Sequence, residues 1–321
     1  MSKFSACHLL SDYINTLGQS LLHKYGERVH KIAIDAGLSC PNRDGSKGVG
    51  GCTFCNNVTF SPNGRQPQPI LEQIQNGREV LIKRTGAKKY IAYFQAYTNT
   101  YSDIKTLSNM YETALSQKDV VGLSIGTRPD CVPNQVIDLL LKYQNQGLDI
   151  WLELGLQSSF DTTLNKINRG HGFAEYKETL LRARSKGLRV CTHLIIGLPG
   201  ENIWHYQTTL KRVLKLGVDG LKYHPLHVVK GTQLANEYRR GEYQPISMYD
   251  YVDIVSDLIC LTPRDMIYHR LTGTANNQQL LAPKWCSKKW AVLNAIEQQL
   301  KIKNKEKVCG TSMSRGQLAS T

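Results

Sequence analysis

Apolar residues along this chain switch repeatedly between two periods, and the switches predict a repeating architecture. Residues 5–24 place Leu9, Leu10, Tyr13, Ile14, Leu17, Leu21 and Leu22 at the three- and four-residue spacing of one helical face, with Gly26 as a stop. That segment is expected to be a helix covering one end of the fold. Val29–Ala36 then alternates apolar and polar positions as a strand does. Five further short apolar runs read as strands: Tyr90–Gln95, Val120–Ile125, Ile150–Leu156, Val190–Ile196 and Gly220–His224. Amphipathic stretches at Ile70–Lys83, Asp103–Ser116, Pro133–Gln146, Tyr176–Lys186 and Asn202–Leu216 read as the helices between them. Gly147, Gly187 and Gly217 each sit just past a helix, where the chain turns with positive φ.

Strands alternating with helices predict a parallel sheet with right-handed crossovers. The expected fold class is α/β, a partial (β/α)6 TIM-like barrel with a C-terminal extension. Six units fall short of the eight of a closed barrel and leave one side open to a large substrate. A doubly wound sheet shares this periodicity and stays open as an alternative. The expected spans are an N-terminal helical segment at 1–28, a core at 29–230, a closure region at 231–309 with a helix at Met248–Cys260, and a disordered tail at 310–321. The stretch 61–69 holds three prolines and is expected to be irregular.

Composition narrows the class. The chain has no apolar run of about 18 residues, so no bilayer span is expected, and its N-terminus lacks the apolar core of a signal peptide. Nine cysteines, an odd number scattered outside one loop, suit a reducing cytoplasm rather than a disulfide framework. Forty Lys plus Arg against 26 Asp plus Glu give a net charge of +14. That surplus points to a polyanionic partner such as nucleic acid, because each neutralised phosphate releases counterions. Seven lysines and two glutamates between Lys284 and Lys307 make the C-terminal helix locally cationic, Lys301, Lys303 and Lys305 among them, a candidate RNA contact or a solvated face. Trp285 and Trp290 read either as base-stacking platforms or as core anchors.

The chemistry concentrates in Cys40–Cys55, CPNRDGSKGVGGCTFC, immediately after the first strand. A Cys52-x-x-Cys55 turn aims two thiolates at one metal centre, and Cys40 closes on it across a glycine-rich loop. Glycines there let backbone N–H groups approach cluster sulfurs. Three thiolates, where an electron-transfer cluster takes four, leave one iron of a [4Fe–4S] cubane open to a substrate, and S-adenosylmethionine (SAM) fits that vacancy through its amino and carboxylate groups. A structural zinc site completed by His30 or a distant cysteine is the rival reading.

Polar groups follow every predicted strand: Gln95-Ala96-Tyr97-Thr98, Gly126-Thr127-Arg128-Pro129-Asp130-Cys131, Glu153-Leu154-Gly155-Leu156-Gln157, Asn168-Arg169-Gly170-His171, His193 through Glu201, and Lys222 through His227. With the cysteine loop, this series resembles the radical SAM enzymes, in the branch holding the Elongator catalytic subunit and the oxygen-independent coproporphyrinogen oxidase. The resemblance runs from about Tyr25 to Trp290. It implies Cys40, Cys52 and Cys55 as cluster ligands, with Phe54 in the usual aromatic position. It implies Gln157 and Arg169 as SAM contacts. The family's glycine-rich element after the second strand is replaced here by Gln95–Thr98, so Thr98 is the substitute candidate. His193 stands where relatives carry an acid and reads as a ribose or substrate contact or as a core histidine. Cys131 is a candidate hydrogen donor or a buried inert thiol.

The activity so implied is reductive cleavage of SAM at the cluster to a 5′-deoxyadenosyl radical, acting on the C5 side chain of a tRNA wobble uridine. An electron donor such as flavodoxin or ferredoxin and a partner methyltransferase go with that role. The acetyltransferase domain of the Elongator subunit has no counterpart in the sequence, so acetyl-CoA-based carboxymethyl addition is not expected. Radical chemistry on a small molecule or tetrapyrrole, and a noncatalytic metal-containing RNA-binding protein, are the competing readings.

Overall fold

A computed structural model describes residues 10–56, 68–275 and 277–313. Cys7, most of the proline-bearing stretch (61–67), the side chains of Lys305, Lys307 and Cys309, and the tail from 314 lie outside the described residues. The elements are β1 (Asn15–Thr16), α1 (Leu17–Tyr25), β2 (Val29–Ile34), α2 (Ile70–Thr85), β3 (Lys89–Phe94), α3 (Ile104–Leu115) and β4 (Val120–Thr127). There follow α4 (Asn134–Asn145), β5 (Asp149–Gln157), α5 (Asp161–Lys166), α6 (Phe173–Ser185), β6 (Val190–Ile196), α7 (Ile203–Lys215) and β7 (Gly220–Pro225). The C-terminal part adds β8 (Val228–Val229), α8 (Gln233–Arg239), α9 (Met248–Cys260), β9 (Ile267–Arg270), β10 (Leu280–Ala282) and α10 (Lys289–Met313).

One parallel sheet runs in the order β1-β9-β7-β6-β5-β4-β3-β2. Strands β2 to β7 lie side by side in chain order, the topology of a barrel wall; a doubly wound sheet reverses its order midway. The expected (β/α)6 array is therefore present, and two short strands extend it to eight. Neither was legible. β9 carries Tyr268, His269 and Arg270 in four residues, and β1 is two residues inside what read as one long helix. That helix starts only at Leu17, with Thr16 capping it by accepting the Gln19 N–H at 3.2 Å.

Both faces of the strands are covered, as in other parallel sheets. Leu152, Leu154 and Leu156 of β5 face the helices in the main core, while Trp151 and Glu153 turn into the barrel. Leu17 and Leu21 of α1 pack with Val29, Ile91, Trp151 and Cys191, plugging the barrel at the N-terminal ends of its strands. The opposite, C-terminal ends stay available for chemistry.

The C-terminal region braces the wall. β8 pairs antiparallel with β10. Trp285 donates its indole N–H to Ile246 O at 3.1 Å and packs on Tyr251, which makes it a core anchor rather than a stacking platform. Trp290 is exposed. Lys303 holds Asp253 and Asp257 at 2.9 and 2.6 Å, so this lysine fastens α10 to α9 and its charge is already neutralised. The expected tail boundary at 310 falls inside α10. Among the described residues no helix is long and apolar enough to cross a membrane.

Candidate active site at the barrel mouth

The cysteine loop leaves β2 and folds over the C-terminal ends of the strands. It is self-bonded: Gly48 N–H donates to Pro41 O at 3.1 Å and Gly51 N–H to Asn42 O at 2.8 Å. These N–H groups shape the loop rather than being held free for a cluster. Gly51 holds φ 85°, a conformation that L side chains rarely adopt, and a Cβ there would stand 2.7 Å from Arg43 Nε. Arg43 in turn donates to the carbonyl of Cys55. Phe54 packs into a second apolar cluster with Leu226, Val228 and Leu234, and Leu234 N–H donates to Thr53 O at 2.9 Å, so the C-terminal region clamps the loop.

Cys40, Cys52 and Cys55 are free thiols on this one loop. Burial first, then the neighbouring Cys52, push the Cys55 thiol up to about 11, against the opposing pull of Arg43; Cys40 adds to the rise. Three thiols on one loop, with Cys52 and Cys40 both raising the proton affinity of Cys55, form a donor set that a cationic iron centre would stabilise. His30 completes no zinc site with them, since it lines a cavity at the barrel seam with Arg28 and Lys289.

Strand-end residues converge on the loop. Thr98 N–H donates to Ser39 O at 3.3 Å, beside Cys40, and its buried hydroxyl has no partner among the described residues. Arg169 places Nη1 3.5 Å from Cys52 Sγ and donates Nη2 to Gly155 O at 2.6 Å, while its Nε is buried without a partner. Above Gly155, Arg169 Nη2 and Gln157 Nε2 meet; a Cβ on that glycine would lie 2.8 and 2.9 Å from them. Gln157 holds φ 79° at a register break between β5 and β6, a strained backbone that aims its amide at this spot. The structure thus brings Thr98, Gln157, Arg169 and the three cysteines to one mouth.

Arg128 builds the support beneath. It is buried, pairs through two prongs with Asp130 at 3.0 Å, and donates to Arg169 O at 2.8 Å and Gly170 O at 3.1 Å. Lys47 of the cysteine loop reaches the same Asp130 at 2.6 Å. Burial pushes the Asp130 carboxyl up, but hydrogen bonds from Arg128 and Lys47 win and hold it at about 2. Cys131 follows directly and lines a cavity with Pro41, Ser46 and Lys47 of the loop; burial pushes its thiol up to about 12, so it stays protonated.

His193 pairs in register with Gly155 at the end of β5 and places Nε2 at 2.6 Å from Glu153 Oε2. Glu153, in sequence one polar residue among several near a strand end, is the hub of the barrel interior. It is fully buried and takes Lys222 at 3.0 Å, His269 at 3.2 Å, and close contacts from Lys31 and Ser124. Tyr93 accepts from Lys222 at 2.5 Å. Burial would raise the Glu153 carboxyl, but Lys222 and Lys31 hold it well below the carboxylate range. Burial pulls Lys222 down to about 8 and His193 to about 4. The Cys191 thiol joins Glu153 and His269 within 4.8 Å, a grouping of metal-ligand type, but two ammonium groups already satisfy the acid. Alternation along β5 and β6 was the available signal: Glu153 and His193 are polar residues at inward positions of otherwise apolar strands.

An open parallel barrel with a three-cysteine loop over its C-terminal mouth defines an iron–sulfur enzyme that binds its co-substrate at the cluster. The chain belongs to the radical SAM superfamily: that family's model matches residues 43–213, and the Radical_SAM C-terminal domain matches 218–302. The chain is 46% identical over 312 residues to protein YhcC of Escherichia coli K12, covering 97% of this chain and 99% of that protein. It is 31% identical over 152 residues to Elongator complex protein 3 of Schizosaccharomyces pombe, 46% of this chain and 27% of that one. The fold matches an archaeal Elp3 structure from Methanocaldococcus infernus with a TM-score of 0.63 at 20% identity, over 86% of this chain and 63% of the other.

The cofactors of this enzyme class are a [4Fe–4S] cluster and SAM. Bound together, they supply one-electron cleavage of a sulfonium and hydrogen abstraction from unactivated carbon. The donor set fits: three free thiols on one loop, and the buried Thr98 hydroxyl and Arg169 Nε near them, without partners among the described residues.

Proposed function

We propose that Cys40, Cys52 and Cys55 hold the cluster, and that Thr98, Arg169 and Gln157 hold SAM against it. Thr98 and Gln157 supply neutral polar groups, and Arg169 supplies a cation beside both Cys52 and the end of β5. His193, hydrogen-bonded to Glu153 and paired in register with Gly155, is the candidate ribose or substrate contact. Cys131, protonated and close to the loop, is the candidate hydrogen donor to a substrate radical.

The substrate we propose is tRNA, with the C5 side chain of a wobble uridine trimmed or converted. The similarity to Elongator complex protein 3 carries this reading, and the net charge of +14 supports a polyanionic partner. A reductant such as flavodoxin or ferredoxin feeds the cluster, a methyltransferase acts on the same nucleoside, and the work is cytoplasmic. The deciding experiment compares modified nucleosides in tRNA from cells with and without the gene. Loss or accumulation of one C5-substituted uridine is expected. Identical nucleoside profiles would transfer the chemistry to a small molecule or tetrapyrrole.

A further inference from the structure

The sheet does not close. β1 and β9 form one margin and β2 the other, and α1 fills the gap between them near the N-terminal ends of the strands. A cavity of about 640 Å³ occupies this seam. Around it stand Arg28, His30 and Lys31 at β2, His269 and Arg270 of β9, and Lys289 at the start of α10. No Asp or Glu is among its lining residues. Leu17 and Leu21 of α1 give it an apolar wall, and the first turn of that helix brings its positive end to the same space.

Lys31 is paired with Glu153, whereas Arg28 and Arg270 meet other partners. Among the described residues, Arg28 donates to Thr85 O at 3.2 Å and Arg270 contacts His224 Nε2 at 3.3 Å; neither partner is a carboxylate. Lys289 lies over the Trp290 ring at 5.5 Å. Lys31 shares Glu153 with Lys222. The groups sense one another: after burial, Arg28 and Lys289 lower the His30 imidazole, and Arg270 lowers Lys289. Gathering like charges around a concave space raises the local potential, and an anion placed there recovers that cost. Guanidinium forks on two walls match the spread oxygens of a phosphate better than a single carboxylate.

We propose that the seam cavity is a phosphate-binding site and, resting on the tRNA reading, that its ligand is a backbone phosphate of the RNA substrate. Lys31 and His269 belong both to the cavity wall and to the Glu153 layer, so a phosphate held there borders the barrel interior. The open side of the barrel is then the edge along which RNA lies.

The test uses full-length, cluster-loaded protein and two probes, a 17-nucleotide anticodon stem-loop RNA and inorganic phosphate. Arg28→Gln and Arg270→Gln are compared with Lys211→Gln on α7, which removes the same charge away from the cavity. Each seam variant is expected to weaken RNA binding about tenfold, as loss of a charge-assisted hydrogen bond does. Each should also reduce the slope of log K against log salt by about 0.9, one phosphate contact. Lys211→Gln should change neither by as much. If wild type binds RNA and the seam variants match Lys211→Gln, the site is overturned while the tRNA reading stands. If wild type ignores RNA but takes phosphate through Arg28 and Arg270, the site stands, its ligand is a free phosphate compound, and the tRNA reading falls. Arg28 is exposed, so its variant tests the site even where Arg270→Gln fails to fold.

Discussion

Arg169 touches Cys52: its Nη1 stands 3.5 Å from the sulfur while its Nη2 donates to Gly155 O at 2.6 Å. One guanidinium therefore joins the cysteine loop to the end of β5, where Gln157 waits. Arg169→Gln is expected to keep the cluster and weaken SAM binding roughly tenfold or more, the scale of a lost hydrogen bond to a charged group. Arg169→Lys should not rescue it, because an ammonium cannot span two acceptors as the fork does. Equilibrium binding of SAM to the reconstituted protein measures both; unchanged affinity in Arg169→Gln would remove this residue from the site.

Replacing Cys40, Cys52 or Cys55 by Ala is expected to prevent cluster reconstitution and abolish SAM cleavage. Iron content and visible absorption after anaerobic reconstitution check this. Wild-type iron loading in any one variant would refute that ligand. Air should bleach the wild-type protein, since an iron open to a ligand is open to oxidants.

Glu153→Gln leaves Lys31 and Lys222 buried without their anion. Breaking one side of a buried pair costs about 3–5 kcal/mol, so the melting temperature should fall by many degrees. Adding Lys222→Met to Glu153→Gln should recover part of the loss. A melting temperature unmoved by Glu153→Gln would contradict the hub assignment.

Acid should destabilise the fold in a defined window. His193 stays neutral in the fold down to about 4 and His269 to about 3, whereas an unfolded imidazole takes its proton near 6.5. The unfolded chain thus binds more protons between these values, and stability rises with pH by about 1.4 kcal/mol per unit for each proton. Glu153 has the same sign: its lowered carboxyl contributes stability above the unfolded value that is lost as pH falls. Melting temperature should drop between pH 6.5 and 4, and His193→Gln should flatten that slope by up to one proton. An unchanged slope in His193→Gln would show that this imidazole is not held neutral.

Gly155→Ala is expected to impair SAM binding while sparing the cluster, because a methyl group there meets Arg169 and Gln157 at under 3 Å. Reconstituted Gly155→Ala that binds SAM normally would show that the two side chains do not act from this position.

Local chemistry made much of this legible. Strand and helix periods gave the six β/α units, since buried parallel strands read as apolar runs and their covering helices as amphipathic ones. The spacing of Cys40, Cys52 and Cys55 marked the proposed cluster centre, because residues on one loop lie close in sequence as well as in space. Tertiary structure decided what depends on distant pairings. β9 became a wall strand only by hydrogen bonding to β7, and its four polar-rich residues carry no strand signal of their own. Glu153 became a hub because β2, β6, β7 and β9 bring Lys31, His193, Lys222 and His269 to it, from positions up to 122 residues away in the chain. His193 gained its partners for the same reason: pairing β6 between β5 and β7 sets it beside Gly155 and Lys222, and only the register between strands, a property of the whole sheet, supplies such neighbours.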